Sequence, residues 1–303
     1  MRLTYRNIAA FFLLLFLVAC TKEQSVHIPV FDISFSPAII SSTRAADAGY
    51  PIGEPFEVWA YSLPKGKKWS SCYSDATQLA AKHKVIYNGE EWLPTPSLRW
   101  PANYDITFFA SSPQSVDFGF TKERGVTIEN FDATSALLPL FTEPVADCDA
   151  YKTQGYIALP FKHALSKVEF EVRSVIVSDS IIKLKSLCLD NITYKGNFSS
   201  QPFPSWEPLD NGMSVEFCGK ETIVDRVATH VGSLMLMGQT INHKAALVVD
   251  ILDMAGNIIV HDRKIETPLI TDEWHAGKYY KYIIDLTTAE ASFDTHMFER
   301  FNL

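Results

Sequence analysis

Residues 167–173 read Lys-Val-Glu-Phe-Glu-Val-Arg, a strict alternation of charged and apolar side chains. An extended chain points successive side chains to opposite faces. It sorts this run into a dry side of Val168, Phe170 and Val172 and a wet side of Lys167, Glu169, Glu171 and Arg173. A helix would scatter the same residues around its circumference. Just upstream, 157–161 (IALPF) reads as a buried edge closing whatever precedes it. The same style recurs at 26–40, 56–63, 84–88, 104–110, 181–189, 213–217, 233–240, 245–252, 258–262 and 279–286, with turn residues between. Strand 56–63 is apolar on both faces and is therefore expected to be central. Short strands at this spacing, almost without helical periodicity, predict an all-β chain of antiparallel sandwiches. The best helix is 75–84, where Asp75 could cap and Ala76, Leu79 and Ala80 share a face. Residues 191–205 read as a loop, 137–153 as an irregular wrap or link, and 254–257 as a hairpin turn.

A length of 303 residues suits two sandwich domains in tandem. The boundary is expected near Tyr156, giving domains 46–156 and 157–288 and a tail 289–303. In that tail Phe293, Met297 and Phe301 fall on one strand face and equally on one helix face, so both forms stay open.

Residues 1–19 are expected to be a signal peptide. Arg2 and Arg6 precede an apolar run over 8–18, too short to span a bilayer, which ends in Leu17-Val18-Ala19-Cys20. This is the pattern of a bacterial lipobox, in which Cys20 becomes the lipid-bearing, palmitate-carrying N-terminus. It predicts export and tethering to a membrane rather than spanning. Cys72, Cys148, Cys188 and Cys218 remain, and three pairings are open to them in an oxidising compartment. Cys188 and Cys218 lie in apolar strand-like runs and read as buried thiols.

The formal charge of −8 argues against a nucleic-acid partner. No phosphate loop, zinc motif or nucleophile elbow is present, and no enzyme, metal or cofactor is expected. His163, Ser166 and Asp190 could be drawn as a hydrolytic triad from composition alone; His163 reads instead as a packing or hydrogen-bonding residue at the joint. The acids Glu90, Glu91, Asp147 and Asp149 lack a calcium-loop pattern and read as solvated surface. Trp59, Trp100 and Trp274 read as core. Trp69, Trp92 and Trp206 lie near loops and would be exposed platforms, the basis of an alternative reading as a surface lipoprotein that binds glycans as a monomer.

Phe161 and the run His163-Ala164-Leu165-Ser166-Lys167-Val168 resemble the signature of the fimbrillin-like family of Bacteroidales, the lipoprotein precursors of type V pilus subunits. The lipobox, Thr43-Arg44-Ala45, Gly53-Glu54 before 56–62 (FEVWAYS), Trp100-Pro101 before 104–111, 235–241 (MLMGQTI) and 274–286 (WHAGKYYKYIIDL) follow in the family's order. Gly238 departs from a proline frequent in such relatives. The resemblance implies two transthyretin-like sandwiches and a place in a fimbrium at the cell outer membrane, as a shaft, tip, accessory or anchor subunit. Its implied partners are other fimbrial subunits, the membrane through the lipid, and a host or bacterial surface ligand for cell adhesion. It also implies strand exchange. An arginine-specific protease would cut after Arg44, the first strand within 20–45 (with Phe31, Ile33 and Phe35) would leave, and a neighbour's segment would fill the groove. The tail residues Phe293, Met297 and Phe301 are the candidate donor.

Overall fold

A computed structural model describes residues 31–40, 48–176, 179–210, 212–269 and 273–298. The chain enters as β1 (Ser34–Ile39) and β2 (Ala48–Gly49) and continues into β3 (Phe56–Pro64). After a helical turn α1 (Trp69–Cys72) come β4 (Thr77–Tyr87), β5 (Trp92–Thr95) and β6 (Tyr104–Ser112). Then follow β7 (Phe118–Thr121), β8 (Gly125–Asp132), β9 (Leu140–Thr142), β10 (Val145–Cys148), a second turn α2 (Ala150–Thr153) and β11 (Tyr156–His163). The hydrogen-bonded order β6-β3-β4-β5-β1-β11-β9 returns to β6, so this sheet closes on itself. Its interior holds Ile33, Phe35, Phe56, Val58, Val85, Trp92, Phe108, Leu159 and Phe161.

β3 is central, as its two apolar faces predict. Phe56, Val58 and Ala60 point into the closed sheet, while Trp59, Tyr61 and Leu63 belong to a separate core outside it. The expected helix at 75–84 is instead β4, paired with β3 and β5. The cause is a bulge. Val58 pairs with His83 and Ala60 with Ala80, so Ala81 and Lys82 together oppose Trp59, with Lys82 at φ 50°. The extra residue lets Ala80 and Val85, an odd number of positions apart, both face inward. It also erases the period of two that would have marked the strand.

The second half runs β12 (Ser166–Ser174), β13 (Ser180–Ile192), β14 (Lys195–Ser199), β15 (Ser205–Pro208), β16 (Met213–Glu216), β17 (Thr222–Val224) and β18 (Thr229–Leu236). It closes with β19 (Lys244–Asp253), β20 (Ile258–Pro268), β21 (Tyr279–Leu286) and β22 (Ala291–Phe298). One sheet is β18-β12-β21-β22. The other is β16-β13-β19-β20, with β17 also on β13. Their shared core contains Val168, Phe170, Leu187, Val249, Trp274 and Tyr282. The Trp274 indole donates to the Tyr282 hydroxyl at 2.9 Å, and the Tyr280 hydroxyl accepts the His275 amide at 2.8 Å. These bonds let large polar rings be wholly buried.

The two halves share a layer. β14, in the stretch read as a loop, pairs with β8 and, on its other edge, with β15, in one sheet, β15-β14-β8-β7. That sheet covers the outer face of the closed one around Trp59, Phe109, Phe118, Phe141 and Phe198. The all-β expectation holds, with two pairings that antiparallel reasoning misses: β1 with β11 and β12 with β21 are parallel. The stretch 159–172 feeds all three cores. Leu159 and Phe161 enter the first, Ala164 and Leu165 the covered face, and Val168, Phe170 and Val172 the last.

Candidate functional site: the first strand and its bed

Cys20 and Arg44 lie outside the described residues, as does Phe301. Phe31, Ile33 and Phe35 lie within them and are brought together along the start of the chain. Ile33 and Phe35 point into the closed sheet, and Phe35 is wholly buried. Its ring meets Phe108 edge-on at 5.5 Å and Phe56 at 6.2 Å. Phe31 is half-buried at the rim, edge-on to Tyr151 at 5.6 Å. Alternation places these rings inward for the same reason that Asp32 is exposed, paired with Arg99 at 3.2 Å.

The strand is bonded on both sides. Toward β11, Ser34 N–H donates to Gly155 C=O at 2.9 Å and Ile40 N–H to Phe161 C=O at 3.0 Å, in register from Ser34↔Tyr156 to Ile39↔Phe161. Toward the other side, Ile33 N–H donates to Leu98 C=O at 3.0 Å, and Phe31 C=O accepts Trp100 N–H at 2.9 Å. Phe35 pairs with Trp92, and β2 takes over at Ala38 and Ile39. Even-numbered amides therefore face β11 and odd-numbered ones face β5 and β2. Pro37, which lacks an N–H, falls on the odd side, between the end of the Trp92 pairing and the start of β2. A proline is tolerated inside the sheet because its missing donor meets that gap.

Several contributors to the bed carry no motif. Tyr50 packs on Phe56, Trp92 and Phe161 and shares a 2.6 Å hydrogen bond with Ser112. Gly155, at φ +83°, lets the backbone of Asp32 pass directly over it. A glycine flanked by Gln154 and Tyr156 is the one sequence signal that could have marked this close approach.

At the far end of the strand the bed opens into a cavity of about 370 Å³, lined by Ile40, Lys162, His163, Phe203, His275 and Lys278 among others. Lys162 pairs with Glu143 at 2.7 Å. Burial pushes the His163 imidazole down to about 4, so it is neutral near pH 7. Ser166 beside it donates its hydroxyl to the His275 carbonyl at 2.8 Å.

The tail is a strand over its described part. β22 pairs antiparallel with β21, Phe293 opposite Ile284 and Met297 opposite Tyr280. The exposed-platform reading of three tryptophans is overturned. Trp69 and Trp92 are buried, and the half-buried Trp206 packs on Phe131 and Phe198 and donates to the Ala164 carbonyl at 2.7 Å. Of the acids, Glu90 and Glu91 are exposed, while Asp147 and Asp149 are engaged. Asp147 accepts the Trp69 amide at 2.8 Å; Asp149 accepts the Tyr151 amide at 2.9 Å, capping α2, and pairs with Lys65 at 2.7 Å. A further cluster, Asp250, His261 and Asp262, brings ligand-type atoms within 4.8 Å of one another. The Lys185 ammonium stands against it, 2.6 Å from Asp262 and 3.8 Å from Asp250, as its counter-charge. The described cysteines, Cys72, Cys148, Cys188 and Cys218, are free thiols.

A closed sheet with an inserted first strand, a covering layer and a second sandwich define an all-β architecture. The sequence matches the Fimbrillin-like family over residues 43–297, and the chain belongs to that family. Among solved structures it is similar to a fimbrial protein from Bacteroides vulgatus, with 16% identity and a TM-score of 0.65, covering 88% of this chain and 98% of that one. It is also similar to a candidate cell adhesion protein from Bacteroides uniformis, with 15% identity and a TM-score of 0.53, again covering 88% and 98%. At these identities the likeness is one of fold. No curated protein matches the sequence significantly.

Proposed function

We propose that this chain is a structural and adhesive subunit of a cell-surface fimbria, exported as a lipoprotein tethered through Cys20 and assembled with other subunits by exchange of its first strand. The observation that carries the reading is β1 itself. It is hydrogen-bonded along both edges and supplies Ile33 and Phe35 to a closed core. Its removal would leave two unpaired strand edges over a row of apolar pockets. Such a bed binds an extended segment through backbone bonds and reads its alternate side chains. Arg44 follows β1 and precedes β2, so a cut there would free β1 and leave β2 with the body. The tail is a strand already suited to pairing, and it lies on β21 of its own chain. Family membership supports partnership with other fimbrial subunits and a place at the cell surface. Two tandem domains joined within 157–166 remain part of this reading, supported by the separate apolar cores to which residues on either side of the joint contribute.

The test is incubation of purified precursor with an arginine-specific protease, followed by gel analysis and electron microscopy. Cleavage after Arg44 and protease-dependent multimers are expected, and Arg44→Ala should abolish both. A folded precursor that stays intact at Arg44 would end the maturation reading.

A further inference from the structure

The cavity at the end of β1 lies on the line that strand follows. β11 runs past the last β1 partner, Phe161, by two residues, Lys162 and His163, and both line the cavity. By Ala48 the chain is again beside Ile39, as β2. The far wall comes from the second half, where Phe203 projects 78% exposed between Pro202 and Pro204, and where His275 and Lys278 stand. Gly277, at φ +71°, keeps that loop against the His163 carbonyl, where a Cβ would sit 3.2 Å away. The charged lining is Lys162, Lys278 and Glu143, with His275 beside them and His163 neutral. Lys162 is committed to Glu143, His275 faces Glu273 at 3.8 Å, and Lys278 forms no ion pair among the described residues. The site therefore has an excess of positive charge beside an exposed aromatic ring.

We infer that the strand that replaces β1 is longer than β1, and that it carries an acidic side chain two residues beyond the position of Ile40, seated between Lys278, Lys162 and Phe203. This rests on the strand-exchange reading above. Alternation sets the position. Ile40 faces the cavity, so the next residue of an extended chain to do so is two further on. The chemistry follows from the lining. A carboxylate meets the uncompensated ammonium of Lys278, and its methylenes cover Phe203, whereas a basic side chain there meets like charge. The cavity would thus select among incoming subunits by charge, while the bed of β1 holds any suitably apolar strand.

Three synthetic peptides test it on full-length chain processed with an arginine-specific protease. One has the sequence of residues 31–40. The others extend it by Ser-Glu or by Ser-Lys. Binding is read by fluorescence anisotropy at low and high salt. The Glu-extended peptide is expected to bind about three- to tenfold more tightly than the Lys-extended one, with the gap narrowing in salt. Lys278→Glu should reverse the order while leaving the short peptide unaffected. Equal binding of the two extended peptides, or an order indifferent to Lys278→Glu, overturns the inference and leaves strand exchange standing. Failure of the short peptide to bind processed chain overturns both.

Discussion

Gly155 lies directly beneath the carbonyl of Asp32: a Cβ built on Gly155 would stand 2.2 Å from that oxygen, and the residue holds φ at +83°. A side chain there must push the start of the first strand off β11. Gly155→Ala is expected to destabilise the chain by about 1–3 kcal/mol, from left-handed strain plus the displaced strand. The check is urea unfolding together with hydrogen exchange. Exchange should accelerate first at Ser34, whose amide bonds Gly155. A variant as stable as the parent would show that the entry of β1 is not held here.

Phe35→Ala should cost about 3–5 kcal/mol, because Phe56 and Phe108 are fixed in the closed sheet and cannot collapse into the void. Phe31→Ala, at the half-buried rim, should cost much less. Comparing the two by thermal melting measures how strongly the strand is anchored at its centre rather than at its end. Equal costs would contradict the packing described.

His163 gives a pH dependence with a definite sign. Its folded value is pushed down to about 4 by burial, below the unfolded value near 6.5. The unfolded chain therefore binds the proton first as pH falls. Stability is unaffected above about 6.5, declines between 6.5 and 4, and loses at most about 3 kcal/mol over that window. His163→Phe should flatten this part of the profile. A slope unchanged by the substitution would assign it to other groups.

Asp250 is buried on the face of β19 and accepts the Asp262 amide at 2.9 Å, with His261 at 3.0 Å and Lys185 beyond. The Asp262 amide foremost, then His261 and Lys185, hold its carboxyl below the usual range against the opposing cost of burial. Because the folded value is depressed, its contribution is present above the unfolded value and is lost as pH falls through the folded one. Asp250→Ala should cost about 1–3 kcal/mol at pH 7, leaving the Asp262 amide without its acceptor, and less in strong acid. Denaturant unfolding at both pH values decides it.

The cysteines give a direct chemical check. With Cys72, Cys148, Cys188 and Cys218 free, unfolding without reductant should expose four reactive thiols in protein that begins after Cys20. In the folded chain Cys148 should react slowly, since burial and then the charges of Asp147 and Asp105 push its thiol up to about 11. Fewer thiols on unfolding would mean that a pair closes in the exported protein.

How much of this was legible depended on where each strand finds its partner. β12 announced itself, because one dry face and one wet face suffice to fix a half-buried strand. β3 announced its central place through apolar residues on both faces, and the turn at 254–257 lies between β19 and β20 as expected. β4 was hidden by its bulge. β14 was hidden because its partner β8 lies far back in the sequence and its polar residues look like a turn. The parallel contact of β1 with β11 joins segments far apart, and no local pattern encodes it. For the site, Phe31, Ile33 and Phe35 were visible from alternation. Their bed was not: Gly155, Leu98 and Tyr50 matter through what passes over or beside them. Trp69 and Trp92 misled because a residue next to a loop in sequence can still point inward.

The shared layer of β8 and β14 has a consequence for the order in which the molecule is made. A chain that emerges from its N-terminus can close its first sheet once His163 is free. The apolar surface around Phe131 and Phe141 nevertheless stays wet until Phe198 and Trp206 have followed. The early half must wait, with aromatic surface open, for a hairpin that arrives later. In that interval it is most exposed to aggregation and most in need of a holding partner.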